Sequence, residues 1–158
     1  MPENKIIEFQ YKILHQIIGT NKLLYKMGKT TSPNCEHCMM HFETIEHLFY
    51  NCFVVRNFWM NLFSKWNMYK KTDIKPSKKD ILLGMEFQTS IHEIPVNILL
   101  LYGKKYVYLC KLQKESPNLE GFFNYMCCKC ISISNTRSVL KTSYEEILTF
   151  ILSCKLDI

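Results

Sequence analysis

Four residues in the first third of the chain carry side chains that bind metal ions well: Cys35, Cys38, His47 and Cys52, spaced C-x2-C-x8-H-x4-C. Three thiols and one imidazole within 18 residues make a complete tetrahedral donor set for zinc. Two cysteines with two residues between them clasp one ion from a tight turn. His47 and Cys52 must then come from a segment that folds back onto that turn. A catalytic zinc keeps one position open for water, and four protein donors leave none, so the expected role is structural. His37 and His41 are the competing imidazoles. His37 lies between the paired cysteines and is expected to point away, and His41 would shorten the loop awkwardly.

The spacing also constrains the elements that hold these donors. His47 and Cys52 are five residues apart. An ideal α-helix sets such a pair about 140° round and about 7.5 Å along from each other. Metal bonds of roughly 2.0–2.3 Å to both are hard to reach from there. Yet Ile45, Leu48, Phe49, Cys52, Val55, Trp59, Leu62, Phe63 and Trp66 follow one long helical period. The metal therefore requires a break near Tyr50 and Asn51, with Asn51 capping a second helix from Phe53 to Trp66. Ile45, Phe49, Val55 and Trp59 are expected to form the apolar support of the knuckle.

Upstream, apolar residues at Ile6, Phe9, Ile13, Leu14, Ile17 and Ile18 mark a helix over residues 4–18, ended by Gly19. Thr20 or Asn21 can cap a short helix from Lys22 to Met27, and Gly28 supplies the left-handed residue that closes it. Glu43, Thr44 and Glu46 stand where negative charge favours a helix start. Downstream, residues 67–80 are polar and lysine-rich; they read as a solvated linker or as a phosphate-contacting strip beside Tyr69. Ser77–Asp80 followed by ILLGM reads as a capped short helix. Residues 94–112 form a longer one, with Ile94, Ile98, Leu101, Val107, Tyr108 and Leu112 as its apolar positions and Lys104, Lys105 and Lys111 on other faces, and Ser116–Pro117 stopping it. Helices are also expected over 119–130 and 143–154, joined by a Ser/Thr/Asn-rich turn. No strand pattern is persuasive. The fold class is all-α: a small helical domain built around a CCHC zinc knuckle, followed by a helical C-terminal half. Its expected divisions are a knuckle module over 1–68, a basic linker over 69–80 and a C-terminal subdomain over 81–158.

Cys127, Cys128 and Cys130 form a second thiol group that could join Cys110 at another metal, but no histidine completes it, and buried free thiols on a helix are the simpler reading. His15 is read as an ordinary helix residue. The chain has only three aspartates, Asp73, Asp80 and Asp157, none of them clustered, so two-metal polymerase or nuclease chemistry has no carboxylates to use. It also lacks a phosphate-binding glycine loop, G-x-S-x-G and H-E-x-x-H. It is not expected to be an enzyme. The N-terminus MPENKIIEF does not read as a signal peptide, so an intracellular location, cytoplasmic or nuclear, is expected. In a reducing compartment eight cysteines favour metal or free thiols over disulfides. The net charge of +6 permits a polyanionic partner without demanding one.

Three stretches, FQYKILHQIIGTNKLLYKMG, SPNCEHC and ETIEHLFYNCFVVRNFW, together resemble the zinc-binding region C-terminal to the reverse transcriptase of LINE-type (non-LTR) retrotransposons. The matching positions are Gly28, Cys35, Cys38, Glu46, His47, Leu48, Phe49, Cys52 and Trp59. The later KKDILLG and LLYGKKYVYLCKLQKESPNLEGFF are also similar to the segment after the knuckle in animal elements, so the resemblance covers residues 9–125. This chain departs from the family in having Phe53 where members often carry proline, and in lacking polymerase and endonuclease domains. The resemblance implies a zinc-stabilised nucleic-acid-binding accessory module. Its partners would be RNA or nicked DNA of a retrotransposition complex, and a reverse transcriptase core. Lys22, Lys26, Lys29, Arg56, Lys70 and Lys71 are the expected phosphate contacts, with Tyr25 and Tyr50 available to stack on bases. The alternative is a docking or architectural domain that packs on a polymerase core without touching nucleic acid.

Overall fold

A computed structural model of the chain describes residues 2–86, 93–134 and 140–156. Helix α1, Pro2–Leu14, buries Ile6, Phe9 and Ile13, one stripe at helical spacing. It stops earlier than the Gly19 that the sequence suggests. Gln16 takes a left-handed conformation (φ 56°), and the amides of Gln16 and Ile17 turn back onto the carbonyls of Ile13 and Lys12 at 3.1 and 3.0 Å. This is the paired-bond helix ending that glycine usually provides. Ile18 then re-enters the core and Ile17 faces outward. Helix α2, Asn21–Lys26, is capped by Thr20, whose hydroxyl accepts from the Leu23 amide at 3.3 Å. Gly28, at φ 67°, closes it as expected.

One wide helical turn, His47–Asn51, precedes helix α3, Phe53–Lys70. Helix α3 runs through residues 67–70, the start of the stretch that reads as a linker, and ends where Lys71 turns left-handed at φ 56°. Helix α4, Lys78–Leu83, carries the full reciprocal cap: Ser77 Oγ accepts from the Asp80 amide and Asp80 accepts from the Ser77 amide, at 3.3 and 2.8 Å. Helices α5 (Glu93–Gln113), α6 (Leu119–Ser134) and α7 (Lys141–Leu156) complete the chain. Among the described residues there is no strand, only an isolated bridge between Asn34 and Phe42. The fold is all-α, with the Cys/His cluster in its N-terminal part. The Ser/Thr/Asn-rich turn between α6 and α7 lies for the most part outside the described residues.

One continuous core joins these elements. Phe9 of α1 meets Phe49 edge-on at 6.2 Å, Phe58 of α3 meets Phe122 of α6 edge-on at 5.4 Å, and Trp66 meets Phe150 of α7 edge-on at 5.0 Å. Helix α5 packs on α1, α4, α6 and α7 and on the wide turn, so it is covered nearly all round. Where the Trp59 ring of α3 reaches it, the backbone must be bare. A Cβ on Gly103 would lie 2.5 Å from the Trp59 ring.

Because α5 is covered, the sequence reading of its faces needs correction. The pattern puts Lys104 and Lys111 on faces other than the apolar one; both are buried, while Ile94 and Leu112 of the apolar set are exposed. Lys104 Nζ donates to Gln10 Oε1 at 2.5 Å and to the Leu82 carbonyl at 3.1 Å. Burial without a carboxylate beside it pulls this lysine down to about 7. Among the described residues no helix is long and apolar enough to cross a membrane.

Candidate metal centre

The donors reach one another from three short pieces of chain. Cys35 and Cys38 flank a turn closed by the Met39 amide on the Cys35 carbonyl at 2.9 Å, with Met39 left-handed at φ 58°. The chain returns by Asn34 pairing with Phe42, and the Cys35 amide donates to the His41 carbonyl at 2.8 Å. Thr44 then starts the next element, its hydroxyl accepting from the His47 amide at 3.1 Å.

Between His47 and Cys52 the helix widens. The Cys52 amide donates to the His47 carbonyl at 2.9 Å, a five-residue step that belongs to π-type winding. A wider turn brings residues five apart nearer to one face, which an α-helix does not do. Cys52 itself is extended (φ −61°, ψ 126°) and stands as the N-cap of α3. The break that the metal requires is present, but Cys52 caps the second helix where Asn51 was expected. The break leaves the Phe49 carbonyl without its helical amide, and Trp59 Nε1 donates to it at 2.8 Å. Phe49, Val55 and Trp59 are buried and Ile45 is half-buried, the apolar support expected of them.

The result is a cluster in which one donor atom each from Cys35, Cys38, His47 and Cys52 lies within 4.8 Å of all the others. Cys38 Sγ is 3.3 Å from His47 Nε2, and Cys35 Sγ is 3.9 Å from Cys52 Sγ. Tetrahedral bonds of 2.0–2.3 Å would space donors about 3.3–3.8 Å apart, so the cluster has the size zinc needs. Cys35 and Cys52 are buried and in contact through their sulfurs. Cys52 is pulled down, first by the hydrogen bond from Cys35 and then by the amides of Val55 and Val54 at the start of α3, against the effect of burial. Cys35 is pushed up by the same hydrogen bond and by burial. His37 turns away, its Nε2 3.3 Å from the Val107 carbonyl on α5, and burial lowers it. His41 is exposed, 5.5 Å from the His47 ring.

Residues 2–59 match the model of a family described as zinc-binding in reverse transcriptase. No curated protein and no solved structure matches the chain. The matched segment is similar to the zinc-binding region that accompanies reverse transcriptases, and its Cys3His group takes one structural zinc ion. The match ends at Trp59, inside α3, so the rest of α3 and helices α4–α7 extend beyond it.

The zinc-binding region is tied to α5 by a residue that the sequence presents as an ordinary helix-start charge. Glu43 is fully buried. Its Oε1 accepts from Lys111 Nζ at 2.6 Å and from the Asn21 amide at 2.7 Å, and its Oε2 accepts from the Glu36 amide at 3.1 Å. Lys111 Nζ also donates to the Gly19 carbonyl at 2.5 Å. The available signal was LLLYGKKYVYLCK: a segment so apolar on every side buries whatever charge it carries, and a buried charge needs a partner.

The cationic residues lie in three places. Lys22 and Lys26, one turn apart on α2, line a groove of about 520 Å³ whose walls include Ile13, Leu23, Ile45 and Leu82, with exposed Lys29 just beyond α2. Arg56 lies over the Tyr50 ring at 5.6 Å, on the edge of a second cavity of about 660 Å³ between α3 and residues 72–76. Lys71 is exposed at the end of α3. Lys70 is half-buried, ion-paired with Glu146 and packed against Trp66 and Tyr69, so its charge is already partnered. Tyr25 is exposed, and Tyr69 is packed on Phe150 at 5.4 Å. The second thiol group does not assemble. Among the described residues no further cluster of three donors forms, Cys128 is exposed, and burial pushes Cys130 up to about 12. His15 is exposed and stacks on Tyr11 at 4.0 Å.

Proposed function

We propose that the chain is a zinc-stabilised nucleic-acid-binding module from the C-terminal region of a LINE-type reverse transcriptase, acting inside the cell without chemistry of its own. It would hold RNA or nicked target DNA beside a polymerase core. The observation that carries this reading is the placement of Lys22 and Lys26. They line one groove with Thr44, Ile45 and Glu46, the residues that lead into His47, and no ion pair among the described residues engages either of them, Lys29 or Arg56. Such lysines meet phosphates as point charges and position a strand without reading its sequence.

The test is binding of the zinc-loaded protein to labelled single-stranded RNA and to nicked DNA across a salt series. If three phosphates are neutralised, the log–log slope for a single strand is about −2. Replacing both Lys22 and Lys26 by Glu flattens that slope and weakens binding to all sequences alike. The docking alternative rests on Met39, Met40 and Phe42, which stand exposed at the tip of the knuckle. Absence of binding at about 50 mM salt contradicts the nucleic-acid reading and leaves docking as the function.

A further inference from the structure

The zinc donors account for only part of the buried polar chemistry around the knuckle. Glu43 is 0% exposed and Lys111 5% exposed. Such burial is costly for both charges unless their remaining polar atoms are satisfied. The contacts of Glu43 all hold segments that frame the zinc loop. The Glu36 amide belongs to the turn between Cys35 and Cys38, and the Asn21 amide opens α2. Asn21 Nδ2 in turn donates to the carbonyl of Asn34, the residue just before Cys35, at 2.7 Å. Lys111 clamps the same carboxylate from α5 and reaches the Gly19 carbonyl between α1 and α2. A second strut runs alongside, from His37 to the Val107 carbonyl one helical turn earlier on α5.

The charges fit this arrangement. Zinc held by three thiolates and a neutral imidazole carries one net negative charge, so a lone Glu43 carboxylate nearby would repel it. Lys111 offsets that second negative centre where little water can reach it.

We propose that Glu43 and Lys111 are positioning residues of the zinc site, and that through them metal binding and the docking of α5 are one cooperative event. Glu43 fixes the Cys35–Cys38 turn through the Glu36 amide; Lys111 holds Glu43 in place and carries the coupling to α5. The family-matched segment is then incomplete as a metal site without a lysine that lies beyond it in sequence. This holds whether or not the protein binds nucleic acid.

The test uses the full chain. Zinc affinity is measured by competition with a chromophoric chelator for the wild type, Glu43→Gln, Lys111→Met and Lys104→Met. Loss of an outer-shell partner is expected to lower affinity by about 10–100-fold in Glu43→Gln and Lys111→Met. Lys104→Met removes a buried lysine from the same helix without touching the knuckle, and leaves zinc affinity unchanged. Cobalt-loaded Lys111→Met is expected to show an altered thiolate-to-metal absorption band, and cobalt-loaded Lys104→Met an unaltered one. Unchanged zinc affinity in both Glu43→Gln and Lys111→Met overturns the proposal. So does an equal loss in Lys104→Met, because the effect would then be general destabilisation. A measurement on the wild type covers the case where a variant does not fold: hydrogen exchange with and without zinc. Zinc is expected to slow exchange of the Val107–Lys111 amides together with those of residues 47–52, and to leave the α7 amides around Phe150 as they were. Exchange at Val107–Lys111 that ignores zinc overturns the proposal.

Discussion

At its first turn α3 is capped by Cys52 and adjoins the four metal donors. Near its last turn Trp66 meets Phe150 edge-on, with Phe123 and Tyr69 against the same ring at 5.7 and 5.4 Å. Both ends are buried, by opposite means. The first end is short loops, a widened turn that buries Leu48 and Phe49, and a buried ion pair, gathered around the donors. The other is aromatic side chains from α3, α6 and α7 meeting face to edge. Order at the metal end adds a few directional bonds to its apolar contacts, and those bonds are lost together when the metal is lost. Order at the aromatic end is the sum of many weak contacts and is lost by degrees.

The contrast can be broken at either end. The largest effect is expected from Cys35→Ser. Structural zinc in small peptides supplies roughly 10–16 kcal/mol, at least as much as the roughly 5–15 kcal/mol that separates most folded domains from their unfolded chains. The variant is expected to carry no zinc by metal analysis and to lose helical circular dichroism from the N-terminal half. Phe150→Ala removes a fully buried ring and is expected to cost about 3–5 kcal/mol in urea denaturation, with zinc stoichiometry unchanged at one per chain. If Phe150→Ala also releases the metal, the two ends are not separable and the comparison fails.

The smallest effect lies between them, at Lys104. In the folded chain burial holds this lysine near 7, against 10.5 for a free one. Below pH 7 it is protonated in both states and its burial penalty is complete. From about pH 7 to about 10.5 the unfolded chain holds more protons, so this residue makes stability rise with pH, by at most about 1.4 kcal/mol per unit. Lys104→Met removes that contribution. The stability difference between wild type and Lys104→Met, measured in urea at about pH 7 and about pH 9, is expected to move in favour of the wild type as pH rises. A difference that stays constant means that Lys104 keeps its proton in the fold.

The metal donors were legible in the sequence because metal chemistry fixes both residue type and spacing, and both are written out between Cys35 and Cys52. The interruption before α3 was legible as a demand: two donors five residues apart do not sit on one α-helical face. Its form was not, since a π-type turn followed by an extended Cys52 and an Asn51 cap both satisfy the demand. The end of α1 was misplaced because Gln16 adopts a conformation that the side chain does not advertise, whereas Gly28 does. Glu43 and Lys111 pass for solvated charges because local pattern assigns a charge to the outside unless its partner is known. That partner lies on another helix, and only tertiary structure brings the two together. The faces of α5 failed for a related reason. A helix covered on nearly every side has no single apolar stripe to read, so the period that places Val107 inward says little about Lys104.

The central claim is that Cys35, Cys38, His47 and Cys52 form a closed, structural zinc site. X-ray absorption at the zinc edge of the purified full chain tests it most directly. The expected result is three sulfur neighbours at about 2.3 Å and one nitrogen at about 2.0–2.1 Å, with no oxygen. A first shell containing a water oxygen, or fewer than three sulfurs, would contradict it.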